Sequence, residues 1–484
     1  MIIPTRKTWK HEGFVFSKQN ACNTFFIIAI FLLSGCHYQS KHSAVGLVNA
    51  AEISQDTDSE TNTQNLVLET LQPQQEFYKM TMNSAPFLPK NQKSRQIACD
   101  IQSQAEGYLS AQEVNYAQKG WEQRISHDPV YFSLPRQAGR ILLIDFAQKQ
   151  HVNKEDEQAV DSELAYRYLS NDNTHHDLYE PWSSSKIFAF SAAIASLREQ
   201  NLGAQATIGD TYVADMITGI NSYEDFGTSS GESNALATFF ANIAGRDYLS
   251  SLFYDEWLNL SQEGIFFRGA YGPVAFVPSS YVWKDLNSEK SIEIQPYLDA
   301  AQDPGYLAYR CDNCGLTGNK PMTTLAQAEW LKRLAAHDRE TATRHPNLTS
   351  DDISTLFYGT GHSYDDDRFA GMTLGISTML QHAIVNAITK KDVSDPKRVL
   401  DELTNGEWRV FQKIGWGPSE TRSTTENVVL AHVCLPHFQG GREFTVAAQV
   451  SVPEAKEENL PLAGKKMQAL LQMSLAEYFH EPKQ

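Results

Sequence analysis

Cysteine is scarce in this chain, with six residues in 484. Cys99, Cys311, Cys314 and Cys434 are the four beyond Cys36, and four cysteines allow three pairings among which sequence does not choose. Cys311-Asp-Asn-Cys314 has no second Cys-x-x-Cys and no spaced His pair beside it, which excludes the usual structural zinc. No thioredoxin-like βαβ pattern surrounds it either, so a local loop disulfide or free thiols are expected there. Positive charge is in deficit: 41 Lys and Arg stand against 58 Asp and Glu, a formal net charge of −17. That balance argues against nucleic acid or an anionic membrane surface as the main partner. Long apolar runs are missing too, since Phe25 to Leu33 is too short to span a bilayer comfortably as a helix. No internal repeat or low-complexity run interrupts residues 131–484.

What is present begins with an address. Arg6, Lys7, Lys10 and Lys18 form a basic region, and the apolar run Phe25 to Leu33 follows it. This is the arrangement of a cleaved export signal. Leu33-Ser34-Gly35-Cys36 then resembles a bacterial lipobox, in which the Cys thiol is lipid-modified and becomes the new N-terminus. The expectation is a signal over residues 1–36, a lipid anchor at Cys36 and a periplasmic location, where oxidation permits disulfides. His37 stands where an inner-membrane retention Asp would be; this points to the outer membrane if the host is Gram-negative. Residues 37–94 are rich in Gln, Asn, Ser, Thr and Asp and read as a polar tether. Residues 95–130 form a lead-in with a mixed helical pattern, and residues 131–484 a single folded domain.

Within that domain, Arg140 to Phe146 is a short β-branched run bounded by Gly139, and reads as a buried strand. Ile187 to Glu199, Ser233 to Ile243, Thr323 to Ala336, Met372 to Ile388 and Pro461 to Phe479 carry helical apolar spacing. Residues 260–320, rich in Gly, Pro, Tyr and Asn, predict a long irregular excursion. Arg409 to Phe411, Asn427 to Leu435 and Glu443 to Val452 read as late strands. One early strand, a block of helices, then strands and a last helix imply an α+β fold, an antiparallel sheet completed by distant segments and flanked by helices.

Ser183-Ser184-Ser185-Lys186 opens the helix that begins near Ile187. At i and i+3 on the first turn, Ser183 and Lys186 share a face. The helix start supplies free backbone N–H groups and the positive dipole end. A Lys desolvated beside other cations loses its proton near neutral pH and can then accept a Ser hydroxyl proton. A Ser-rich helix cap with a solvent-facing Lys is the plainer alternative. Downstream stand Asn234, opening a helix that reads SNALATFFANIAG, and Lys413-Ile414-Gly415 at the end of a strand.

In this order the parts resemble the penicillin-recognising serine enzymes, class A β-lactamases and D,D-peptidases, whose motifs are Ser-x-x-Lys, Ser-Asp-Asn and Lys-Thr-Gly. The resemblance spans roughly residues 135–480 and implies a β-lactamase/transpeptidase-like fold with a helical subdomain. It implies Ser183 as nucleophile, Lys186 as proton acceptor, Asn234 as the second-motif amide and Lys413 as the third-motif cation. It further implies an oxyanion hole from the N–H groups of Ser183 and Trp416, with Gly415 admitting substrate close to the backbone. Two positions depart from the pattern. Glu232 replaces the hydroxyl residue that relays a proton to the leaving nitrogen, a role open to Glu232 itself or to Ser230 or Ser233. Ile414 replaces a substrate-binding Thr or Ser, with Ser419, Thr421 and Arg422 as compensating groups.

The resemblance also implies a carboxylate that activates water for deacylation. The comparable stretch holds Asp303-Pro304 and Asp312, while Asp255-Glu-Trp-Leu-Asn259 follows Asn234 too soon and reads as a decoy. The implied substrate is a β-lactam or a peptidoglycan stem peptide, with no cofactor and no metal. Three functions fit: a β-lactamase-like serine hydrolase, a D,D-carboxypeptidase or endopeptidase, and a degenerate lipoprotein that keeps the fold for binding or scaffolding.

Overall fold

Arg140 begins a strand twice the expected length. In a computed structural model the described residues are 79–82, 86–92, 95–101, 106–125, 127–152, 159–296, 309–311 and 316–480. All belong to the compact unit Ser59–Gln484. The signal segment, Cys36, Asp303, Asp312 and Cys314 lie outside the described residues.

A seven-stranded sheet is built from β1 (Leu109–Ser110), β2 (His127–Asp128), β3 (Arg140–Val152), β4 (Ala159–Ser170), β5 (Arg409–Ser419), β6 (Thr424–Leu435) and β7 (Arg442–Pro453). The order is β1-β4-β3-β7-β6-β5, every neighbour on that path antiparallel, with β2 pairing parallel to β4. Strand alternation sends successive side chains to opposite faces. Leu142, Ile144 and Phe146 of β3 therefore join a core with Ile187, Phe188 and Leu331. Ile141 and Leu143 join a second core with Leu380, Ile384, Leu471 and Leu475. The first face is covered by α1 (Lys186–Arg198) and α4 (Thr324–Ala335), with α2 (Val213–Ser222) and α3 (Ser233–Ala244) in the same core; the second by α5 (Met379–Thr389) and α6 (Leu460–His480). Each such fully buried Leu, Ile or Phe contributes about 1.5–3 kcal/mol of transfer free energy. The α+β layout with an antiparallel sheet is the one expected.

Several local expectations need correction. β4 is absent from the expected strands, although Leu164, Tyr166 and Tyr168 alternate with Glu163 and Arg167 as a half-buried strand requires. The single helix expected over Met372 to Ile388 is instead a 3₁₀ turn, Gly371–Leu374, followed by α5. Between them Ser377 Oγ accepts a hydrogen bond from the Met379 N–H at 3.1 Å, the local competition by which Ser interrupts helices. β5 does not stop near Lys413; it runs through Ser419, and the expected loop shrinks to the turn at Glu420–Ser423. In the irregular excursion, Val282–Asp285 and Ser291–Glu293 are strands that extend a small sheet begun by Ala206–Ile208.

Packing reaches further toward the N-terminus than composition implied. Thr81 and Met82 are buried, and the Asn91 N–H donates to the Gly406 carbonyl at 2.8 Å. Folded chain thus precedes residue 95. In the lead-in expected over 95–130, Trp121 is fully buried, and β1 and β2 lie beside β4. Cys99 is disulfide-bonded to Cys434 of β6 across 335 residues of sequence, with Cα atoms 5.4 Å apart.

Candidate active site

Of the three consecutive serines, two are tied down. Ser184 Oγ donates to the Pro181 carbonyl at 2.6 Å and accepts from Gln327 Nε2 at 2.8 Å. Ser185 Oγ donates to the Trp182 carbonyl at 2.8 Å and meets the Tyr271 hydroxyl at 3.1 Å. Ser183 is half-buried, and its side chain interacts with the Tyr223 phenol. The serines occupy a 3₁₀ turn, Trp182–Ser185, that runs directly into α1 at Lys186. A three-residue repeat stacks i on i+3, so Ser183 and Lys186 share a face as their spacing requires.

Lys186 is fully buried in the folded chain. Its Nζ donates to Asn234 Oδ1 at 2.7 Å and to Ser233 Oγ at 2.9 Å. Burial pushes its pKa down to about 7; the Glu232 carboxylate opposes that fall and the Lys320 cation adds to it. An amine in that state is a competent base at neutral pH. Asn234 is held in place by its own amide, which donates to Glu232 Oε1 at 2.8 Å.

β5 closes the other side. A Cβ on Gly415 would come within 2.6 Å of the Ser183 nitrogen and 2.7 Å of Trp182 Cβ, so only glycine lets the strand lie this close to the turn. β5 is the free edge of the sheet. Its Ile414 carbonyl accepts from the Tyr223 hydroxyl at 3.5 Å, which places residue 414 on the outward-bonding phase. Trp416, two residues on, presents its N–H along the same edge. Gly415 thus brings β5 against the Ser183 nitrogen, and Trp416 is the next residue along that edge. Lys413 Nζ is buried without a hydrogen-bond partner and stands over the Tyr223 ring, 3.8 Å from its centroid. Burial, and then repulsion from Lys186, pull its pKa well below the lysine range. Ile414 turns away into the opposite core. Ser419 shares the face of Gly415 and Gly417 and bonds Thr421 Oγ1 at 3.3 Å. Arg422 is committed to Glu426 through Nε at 2.8 Å and Nη2 at 3.0 Å.

Glu232 is exposed and precedes α3 without capping it. Its carboxylate acts electrostatically on Lys186 and accepts from Asn234; of the alternatives, Ser233 places a hydroxyl on Lys186. The residue unread in the sequence is Tyr223. It follows α2 in a left-handed conformation with φ of 60°, interacts with Ser183, and sits beneath both Lys413 and Lys186, the latter 5.0 Å from its ring centroid. Burial keeps the phenol protonated, opposed by Ser183. The only sequence signal for it was an aromatic just past a helix end, eleven positions ahead of Asn234. Tyr271 and Lys320 were also unread. Lys320 lies 4.7 Å from the Tyr271 ring centroid and pairs with Glu180 at 3.5 Å. Glu180 Oε2 also accepts from the Asn319 N–H at 2.9 Å.

Asp255 ends a helix at the surface and pairs with Lys119 at 2.6 Å, in keeping with a decoy. Among the described residues, no group of three or more His, Cys, Asp or Glu side chains is arranged to hold a metal.

No protein-family model matches the chain, and no curated protein matches its sequence. Among solved structures, PBP-A is similar at 10% identity over 71% of this chain and 91% of that one, TM-score 0.35. A mutant of PBP-A, solved as an acyl-enzyme complex with penicillin G, is 12% identical over 71% and 92%, TM-score 0.33. A class A β-lactamase from Bacteroides cellulosilyticus is 9% identical over 70% and 93%, TM-score 0.32. Likeness at this level carries no information about activity. The chain is thus a mixed helix and antiparallel-sheet protein with β-lactamase-like and PBP-like structural neighbours.

Proposed function

We propose that this protein is a serine acyl-transfer enzyme of the penicillin-recognising kind, with Ser183 as nucleophile. The observation that carries the reading is Lys186. It is buried, lowered to about pKa 7 and aimed at Asn234 and Ser233, one turn from a serine whose two neighbours are locked away. Lys186 in its amine form takes the Ser183 proton as Oγ bonds the carbonyl carbon of a strained or peptide amide. The oxyanion is met by the N–H groups of Ser183 and Trp416. The C–N bond then breaks, and the leaving nitrogen receives the proton held by Lys186, with the Tyr223 phenol, in contact with Ser183, as the relaying hydroxyl. Water attacks the ester, releasing the acid and restoring the Ser183 hydroxyl.

Deacylation needs a group that activates this water. Among the described residues, Glu232, Lys320 and Lys413 act electrostatically on Lys186 or are acted on by it, and the buried carboxylate of Glu180 is engaged by Lys320 and Asn319. A long-lived acyl-enzyme would mark a D,D-peptidase acting on peptidoglycan stem peptides, and rapid turnover a β-lactamase. The lipobox at Cys36 supports a lipid-anchored protein at the periplasmic face of a membrane, the outer one in a Gram-negative host. Incubation with a labelled penicillin, followed by intact mass, tests the reading against a Ser183→Ala control. An adduct on Ser183 is expected, persistent for a peptidase and short-lived for a β-lactamase. No adduct with several acylating probes would leave the scaffold reading in its place.

A further inference from the structure

The residue before the nucleophile is held in a backbone conformation that a bulky side chain ordinarily avoids. Trp182 has φ of 51°, in the left-handed region where large residues are outliers kept only when the surroundings enforce them. The enforcement is visible. Trp182 Nε1 donates to Glu426 Oε2 at 2.6 Å. Glu426, 3% exposed, is itself fixed by Arg422 through two bonds and by Thr424 Oγ1 at 3.1 Å.

The ring has a made bed. Glu426 of β6 lies directly opposite Gly417 of β5, and cross-strand partners project to the same face. A Cβ on Gly417 would stand 2.6 Å from Trp182 Cζ3 and 2.8 Å from Cη2. The indole therefore lies against the bare backbone of Gly417 with its nitrogen reaching the carboxylate next door. One peptide unit later, Gly415 packs against the Ser183 nitrogen. Two glycines and one carboxylate thus fix the turn from the side on which the oxyanion forms.

We propose that Glu426, anchored by Arg422, is a positioning residue. It clamps the Trp182 indole and thereby fixes the direction of the Ser183 N–H and hydroxyl. This rests on the acyl-transfer reading given above, and it assigns a function to three residues that touch no substrate. Trp182 keeps a strained backbone because the clamp outweighs the strain. Arg422, in consequence, serves the clamp and does not receive the substrate carboxylate.

The test compares the wild-type chain with Glu426→Ala, Glu426→Gln and Trp182→Phe, each confirmed folded by thermal unfolding. With a penicillin probe, Glu426→Ala should lower the acylation rate constant about 10²-fold, while the probe concentration at half-saturation moves less than about threefold. Glu426→Gln keeps an oxygen acceptor at the same reach and should recover about tenfold of that loss. Equal rates for Ala and Gln, or a loss confined to affinity, would overturn the clamp. The indole N–H resonance of Trp182, assigned by its disappearance in Trp182→Phe, supplies a readout independent of chemistry. It should move upfield in Glu426→Ala, and an unmoved signal also overturns the proposal. A wild-type chain that forms no adduct would sink the acyl-transfer reading, while the indole signal would still decide whether the clamp exists.

Discussion

Lys413 stands over the face of Tyr223, its nitrogen 3.8 Å from the ring centroid and without a hydrogen-bond partner. A buried amine stacked on an aromatic face, beside a second depressed lysine, is costly to fold. Such destabilising arrangements persist where function requires them. Replacing Lys413 with Met should raise the free energy of unfolding by about 1–2 kcal/mol while slowing acylation. Urea denaturation and penicillin labelling of the same variant measure the two effects. A variant that lost stability would mean the amine has a partner that matters to the fold.

Tyr223→Phe removes one oxygen and leaves the ring under Lys413. If the phenol shuttles the proton to the leaving nitrogen, acylation should slow by about 10²-fold or more. Circular dichroism and melting temperature should stay near wild type, because the lost hydrogen bond to Ile414 is long at 3.5 Å. Acylation at the wild-type rate would remove Tyr223 from the mechanism.

The pH dependence of acylation should show a rising limb with an apparent pKa of about 7, as Lys186 releases its proton. Lys186→Arg, charged throughout, should abolish that limb and the activity with it. Stability responds to the same group. Between about pH 7 and its ordinary pKa of 10.5, Lys186 is protonated in the unfolded chain and neutral in the folded one. The unfolded state then binds more protons, so stability rises with pH across that window. Chemical denaturation at pH 7, 8.5 and 10 should show the rise in wild type and less of it in Lys186→Met.

Acid destabilisation has an identifiable source in Glu443. Burial alone would raise its pKa, but the Arg339 guanidinium and His432 hold it down to about 2. The stability it contributes is therefore present above its ordinary 4.5 and is lost as pH falls toward 2. Glu443→Gln should flatten the acid limb of the stability curve between pH 4.5 and 2. An unchanged limb would assign acid unfolding to other carboxylates.

The Cys99–Cys434 bridge closes most of the folded domain into one loop. Reduction, or the Cys99→Ser variant, should cost about 2–5 kcal/mol. Urea midpoints with and without reductant check this, and an unchanged midpoint would mean that the packing around Trp121 holds residues 95–130 unaided.

Much of the fold was legible because its strongest elements obey one periodicity each. α3, α4 and α6 carry helical stripes, and β3, β6 and β7 are β-branched runs facing two cores. β4 escaped although Glu163 and Arg167 share one face and Leu164, Tyr166 and Tyr168 the other, the pattern of a strand. The 3₁₀ turn ahead of α5 escaped because Ser377 competes with the helix only through its side chain. Ser183 and Lys186 could be paired from spacing, since a three-residue interval fixes a shared helix face whatever surrounds it, whereas Asn234 and Lys413 were named through the resemblance of the motif order to the penicillin-recognising serine enzymes.

The remainder of the site depends on distances that no spacing encodes. Tyr223, Tyr271 and Lys320 come to Ser183 and Lys186 from separate segments. Glu426 reaches Trp182 only because β6 pairs with β5 in the register that sets it opposite Gly417. Sequence alone thus determined which serine and lysine share a turn, because that relation is local. Tertiary structure decided which groups surround them: Glu232 and Lys320 act on Lys186, Tyr223 meets Ser183, and Glu426 accepts from Trp182. Desolvation and cross-strand packing depend on neighbours hundreds of residues away.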